Sequence, residues 1–209
     1  MQKEKLWLIA LILVVAVFIS FVGYLFVQLK TESKPSWLDL NVYMIYEQVF
    51  VWDSQNETEY MTWNVTEINV DFANIHLVSH SVNITDESVV ITLVEADWIV
   101  NMFTREITNS SDLRYVGKKC PFWIQTNVEI GSTVDIFYGI NKIGKSEIIE
   151  VLGQSRDCWM LEYNWKTANM KRWYDKLSGI CLKIQVALHR EGHTITITET
   201  AVETNIHLK

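Results

Sequence analysis

Proline occurs only twice in the 209 residues, glycine eight times and cysteine three times. So few prolines and glycines exclude collagen-like, linker-like and low-complexity chains. Three cysteines are too few for a disulfide scaffold, and no C-x-x-C is present, so a structural zinc site is not expected. Basic residues are outnumbered 18 to 25, giving a net charge of -7. An acidic surface repels phosphate, so nucleic acid is excluded as an expected partner. Also missing are G-x-S-x-G, H-E-x-x-H, a P-loop and G-x-G-x-x-G, which removes the usual signatures of hydrolases, zinc proteases and nucleotide enzymes. No repeat appears at a solenoid or propeller period.

One absence is positional. From Leu6 to Leu29 there is no Asp, Glu, Lys, Arg, His or Pro, while Lys3–Lys5 and Lys30–Lys34 carry charge on either side. As a helix this run would span about 36 Å, enough for a bilayer core of about 30 Å. Trp7 and Tyr24 stand near its ends, where amphipathic rings favour the headgroup level. It is longer than a secretory h-region and offers no small-x-small cleavage site, so an uncleaved anchor is expected. The organisation read from this is a cytoplasmic tail (1–5), a transmembrane helix (6–29), a short linker (30–36) and an exocytoplasmic domain (37–209). The expected location is the cell membrane, single-pass, with the C-terminal domain outside. Lysines flank both ends of the run, so orientation rests on the shortness of the tail and on four N-x-S/T sequons, at Asn56, Asn64, Asn83 and Asn109.

What the remaining chain does have is period-two alternation. Strands are predicted over Val42–Trp52, Tyr60–Asn69, Phe72–Ser79, Val89–Val94, Trp98–Ile107, Thr133–Tyr138, Ser146–Leu152, Cys158–Trp165, Asn169–Asp175, Ile180–His189 and Thr194–Thr200. Short turns separate the later ones, among them Gly139–Lys145 and K-L-S-G, which reads as an antiparallel meander. Trp159, Leu161, Tyr163 and Trp165 share one face of a strand. Leu182, Ile184, Val186 and Leu188 share a face of a later one, and T-I-T-I-T at 194–198 keeps the same period. Two weak helix candidates are Trp37–Tyr46 and Asp97–Phe103. The fold class is therefore mainly β: one N-terminal helix, then a curved antiparallel meander or half-barrel of roughly ten strands.

Three segments carry a resemblance. F-W-I-Q-T-N-V-E-I-G-S-T-V-D-I (Phe122–Ile136), E-V-L-G-Q-S-R-D-C-W-M-L-E-Y (Glu150–Tyr163) and W-Y-D-K-L-S-G-I-C-L-K-I (Trp173–Ile184) resemble a group of uncharacterised archaeal membrane-anchored surface proteins. The last is also similar to the Y-D-K-x-T-G-x-L hairpin of proteins of the outer-membrane lipoprotein carrier type. That resemblance, over roughly the C-terminal ninety residues, implies a strongly curved half-barrel whose concave face holds acyl chains. The chain departs from the carrier pattern in lacking the helices that plug such a half-barrel.

Function is bounded more than identified. Eight Trp lie beyond the membrane run, and indoles that need a partner for N–H often line grooves. The candidate apolar lining is Trp159, Tyr163, Trp165, Trp173 and Leu182. The expectation is a membrane-anchored binding or structural module without catalytic site, cofactor or metal. Its partners would be the bilayer through residues 6–29 and a lipid, a glycan or a surface protein. A lipid- or glycan-binding half-barrel and a subunit of a surface assembly are the alternatives. A carboxylate-dependent hydrolase using acids among Asp71, Asp86, Glu87, Glu95, Asp97 and Glu106 is the catalytic one. His76 and His80 would stand roughly 13 Å apart along a strand, too far to share an ion. Counting back from the K-L-S-G turn sets Cys181 opposite Tyr174 and Tyr174 opposite about Met160. Cys158 then falls on the face of Cys181, about 10 Å away. A Cys158–Cys181 disulfide is expected if the middle strand bulges, with Cys120 free or the alternative partner.

Overall fold

The structure, a computed structural model, describes residues 33–53, 55–84, 89–137, 139–190 and 193–208. The tail, the 6–29 span and the start of the linker lie outside the described residues. Among the described residues no helix is long and apolar enough to cross a membrane. Residues 34–209 form one compact unit.

That unit is a single open antiparallel sheet of eleven strands. In chain order they are β1 (Tyr43–Trp52), β2 (Gln55–Ile68), β3 (Phe72–Ile84), β4 (Val89–Asn101), β5 (Ile107–Ser110), β6 (Thr133–Ile136), β7 (Gly139–Val151), β8 (Gln154–Asn164), β9 (Ala168–Asp175), β10 (Cys181–Arg190) and β11 (His193–Thr204). The spatial order β5-β4-β3-β2-β1-β11-β10-β9-β8-β7-β6 is two meanders joined where the first strand pairs with the last. Meanders need only tight turns, and the chain supplies them: Leu152 and Gly153 both take positive φ between β7 and β8.

Both helix candidates are corrected. Trp37–Tyr46 is a turn followed by β1, in which Met44, Tyr46, Gln48 and Phe50 are buried in strict alternation. Asp97–Phe103 is the end of β4 and a turn. There the Asn101 side chain accepts hydrogen bonds from the N–H groups of Phe103 and Thr104, which stops the strand. The expected turn at Gly139–Lys145 is the first part of β7 instead.

Curvature follows from register. The inner face carries Tyr46 and Gln48 of β1, Met61 and Trp63 of β2, Leu77 of β3, and Ala96 and Trp98 of β4. It continues on the other side through Glu199 of β11, Ile184 of β10 and Arg172 of β9. Strands β4 and β9 are six places apart, roughly 29 Å across a flat sheet. Yet Ala96 and Arg172 line one cavity, so the sheet curls. Bulges at Ile45/Tyr46, Val65/Glu67 and Cys181/Lys183 provide the bend.

Candidate functional site

Among the described residues no α-helix fills the hollow of this sheet. The segment between β5 and β6 does so, and Cys120, Phe122, Trp123 and Ile124 are all buried. Phe122 is stacked between Trp63 and Trp98 at 5.3 and 5.4 Å, each with an interplanar angle of 17°. Two devices hold the segment. Buried Arg105, itself at positive φ, donates to the carbonyls of Cys120, Trp123 and Asp135. The second is the D-K-L-S-G turn. Asp175 Oδ2 accepts from the N–H and hydroxyl of Ser178, and Gly179 lies directly against Ile124, whose N–H donates to the Gly179 carbonyl at 2.8 Å. The Cys181 N–H donates to the Phe122 carbonyl.

The filling is incomplete. An open cavity of about 430 Å³ remains beside the stacked rings. Met61, Leu77, Val94, Ala96, Trp98, Phe122, Phe137 and Ile184 give it apolar walls. A larger cleft of about 770 Å³ lies between the β7–β8 turn and residues Thr200–Leu208, but it has no aromatic wall.

Polar groups line part of the smaller cavity, among them His80, Arg172 and Glu199, and further groups hold these in place. Gln48, 1% exposed, donates from Nε2 to Glu199 Oε1 at 2.9 Å and accepts at Oε1 from the N–H of His80. Burial raises the Glu199 pKa; the nearby Arg172 charge and the Gln48 hydrogen bond oppose that rise. His80 Nε2 is 3.7 Å from Glu59. At the mouth, Arg114 is tied to Asp112 through a two-point contact. The site therefore offers an apolar wall, the Gln48–Glu199 pair, and two buried nitrogens of its lining residues, His80 Nδ1 and Trp98 Nε1, that have no hydrogen-bond partner among the described residues.

The residues singled out from sequence do not converge here. Trp173 and Leu182 are buried in the core cluster that contains Trp63 and Trp98. Trp159, Tyr163 and Trp165 pack against a second cluster around Leu161, Met170, Tyr174 and Ile184. Leu182 and Ile184 alternate with the less buried Lys183 and Gln185, as expected, but belong to different core clusters. The expected Cys158–Cys181 bond is not formed: all three cysteines are free and buried. Tyr174 pairs with Trp159 rather than Met160, so Cys158 stands opposite Asp175 and points away from the face of Cys181. One residue of register reverses the direction of a side chain. Burial pushes the Cys120 and Cys158 thiols up to about 12 and Cys181 to about 11.

Asn56, Asn83 and Asn109 are exposed and Asn64 is half-buried. The acids are dispersed. Asp97 meets His76 at 2.8 Å, Glu106 meets Lys119, Asp71 and Glu95 face solvent, and Asp86 and Glu87 lie outside the described residues. Among the described residues no three His, Cys, Asp or Glu side chains gather as metal ligands.

Sequence reasoning passed over Glu199, Arg172 and Phe122. For the first, the signal was present: I-T-I-T-E continues the period of two, which places Glu199 on the face of Ile195 and Ile197. M-K-R-W-Y does the same for Arg172, between Met170 and Tyr174. Nothing local marks Phe122, whose two stacking partners are 59 and 24 positions away.

No family model and no curated protein matches the chain. Among solved structures, a DUF1329 family protein from Desulfovibrio piger is similar with 11% identity and a TM-score of 0.24. The match covers 81% of this chain and 87% of that one. A putative outer membrane lipoprotein-sorting protein domain from Vibrio parahaemolyticus is similar with 9% identity and a TM-score of 0.23, over 80% and 87%. Likeness this slight assigns no function.

Proposed function

We propose that residues 34–209 form a ligand-binding module, anchored by residues 6–29 and displayed outside the membrane, that holds an apolar chain with an uncharged polar end. The supporting observation is the 430 Å³ cavity, in which aromatic and aliphatic walls meet Glu199, itself hydrogen-bonded to buried Gln48. Apolar surface left open to water costs about 25 cal/mol per Å², so a cavity with such walls gains by taking in a chain. Arg172 stands beside Glu199 and Arg114 is held by Asp112, which leaves little net charge for an ionised headgroup. Binding rather than catalysis is the reading because the acids are dispersed over separate partners.

The test is native mass spectrometry of the purified chain, followed by titration with a fluorescent long-chain alcohol. Filling the cavity by Ala96→Phe or Val94→Trp is expected to weaken binding by at least about tenfold, 1.4 kcal/mol, while the protein stays folded. Undiminished affinity in both folded variants would place the ligand elsewhere, and no uptake by the wild type would remove the proposal.

A further inference from the structure

Trp98 needs only a ring to stack on Phe122 at 5.4 Å, yet it carries an indole. The indole Nε1–H is a donor with no acceptor capacity, and buried donors are almost always met. In and around the same core cluster, Trp63 donates to the Tyr46 hydroxyl at 3.5 Å, Trp37 to the Ser178 carbonyl and Trp173 to Glu147. Trp98 is 3% exposed, and its Nε1 has no hydrogen-bond partner among the described residues. The Tyr115 ring meets it at 5.4 Å and 64°, but an aromatic face is a far weaker acceptor than oxygen. Trp159 Nε1 is unmet as well, but Trp159 lines neither cavity described above. Trp98 lines the smaller one.

The polar groups already placed in that cavity do not serve this donor. His80, whose N–H is bonded to Gln48, stands opposite Leu93, whereas Trp98 stands opposite Ile75. Five positions separate the two pairs along the strands, roughly 17 Å. Gln48, Glu199 and the unmet His80 Nδ1 therefore mark one part of the cavity and Trp98 another. Phe122 holds the Trp98 ring by stacking. Tyr115 and Phe137 beside it are only partly buried, so these two can give way to an entering group.

Resting on the ligand reading above, we infer that Trp98 selects a ligand whose apolar chain carries a second oxygen, an acceptor without a proton of its own: a ketone, ester or ether. Such an oxygen accepts from Nε1 and leaves nothing further to satisfy. A hydroxyl or amine in its place would bring another donor among the carbon faces of Phe122 and Phe137, unmet in its turn. A plain hydrocarbon stretch would leave Nε1 as it is.

Hexadecanol and its keto derivatives, with the carbonyl at successive carbons, test this on the purified full chain. At the best carbonyl position the wild type is expected to bind about two- to tenfold more tightly than it binds hexadecanol, the worth of one hydrogen bond. Trp98→Phe keeps the stacking ring and removes the donor. It is expected to bind hexadecanol as the wild type does and to lose the preference for the carbonyl. Should that variant misfold, the indole N–H signals of the wild type serve instead: one is expected to move with the preferred keto alcohol and to stay in place with hexadecanol. Hexadecanol bound with no gain from any carbonyl, a gain that survives in Trp98→Phe, or a gain that moves no indole signal would overturn the inference and leave the ligand reading standing. Failure of hexadecanol and every keto alcohol alike would remove both.

Discussion

Gly179 shows how little freedom one position can have. It sits at φ +75, and a Cβ there would lie 2.2 Å from the Ile124 carbonyl oxygen. The atom in the way is backbone, held in place by the hydrogen bond from Ile124 to Gly179 itself, so the neighbour has no easy escape. Gly179→Ala is expected to cost more than about 2 kcal/mol, a fall in melting temperature of at least about 4 °C. A thermal melt within a degree of wild type would show that the inserted segment is not clamped by this turn. The need for glycine in D-K-L-S-G was legible in the sequence as a turn requirement. That the same residue must also admit another segment's backbone was not, because Ile124 lies 55 positions away.

At the scale of elements, the segment from Cys120 to Ile124 is irregular chain packed into the sheet's hollow, and irregular chain needs partners for its backbone. Arg105 meets that need from one side by donating to three carbonyls. Arg105→Met would keep the apolar stem and remove the donors, leaving buried carbonyls unmet at about 1–3 kcal/mol each. The expected loss in a denaturant titration is about 3 kcal/mol or more, with Arg105→Lys recovering only part because an ammonium lacks the planar fork. A loss under about 0.5 kcal/mol would mean that water replaces the guanidinium. The strands themselves were readable wherever one face is buried, as in β1, β8 and β11. They were misread where a short polar side chain decides the matter, as Asn101 does at the end of β4. Register was the other failure. The shift of Tyr174 from Met160 to Trp159 is small along the chain but carries Cys158 to the opposite face, and with it the expected disulfide.

For the molecule as a whole, the proposal separates an anchor from a self-contained domain. The full chain is expected to sediment with membranes and resist alkaline extraction, whereas residues 34–209 remain in the aqueous fraction with an unchanged β-type circular dichroism spectrum. Recovery of the intact full chain in the aqueous fraction would refute the anchor. The sheet supports independence of the domain, since its first strand pairs with its last and its core clusters draw on residues between Leu38 and Ile206.

The sequence by itself determined the mainly β class, the antiparallel order of the C-terminal strands and the dry or wet side of most of them. Those properties follow from pleat periodicity and turn chemistry, which act over a few residues. Tertiary structure alone decided the meeting of β1 with β11, the burial of Phe122 between two indoles and the cavity beside Glu199. Each depends on how far the sheet curls, and that is set by bulges and by contacts between residues dozens of positions apart.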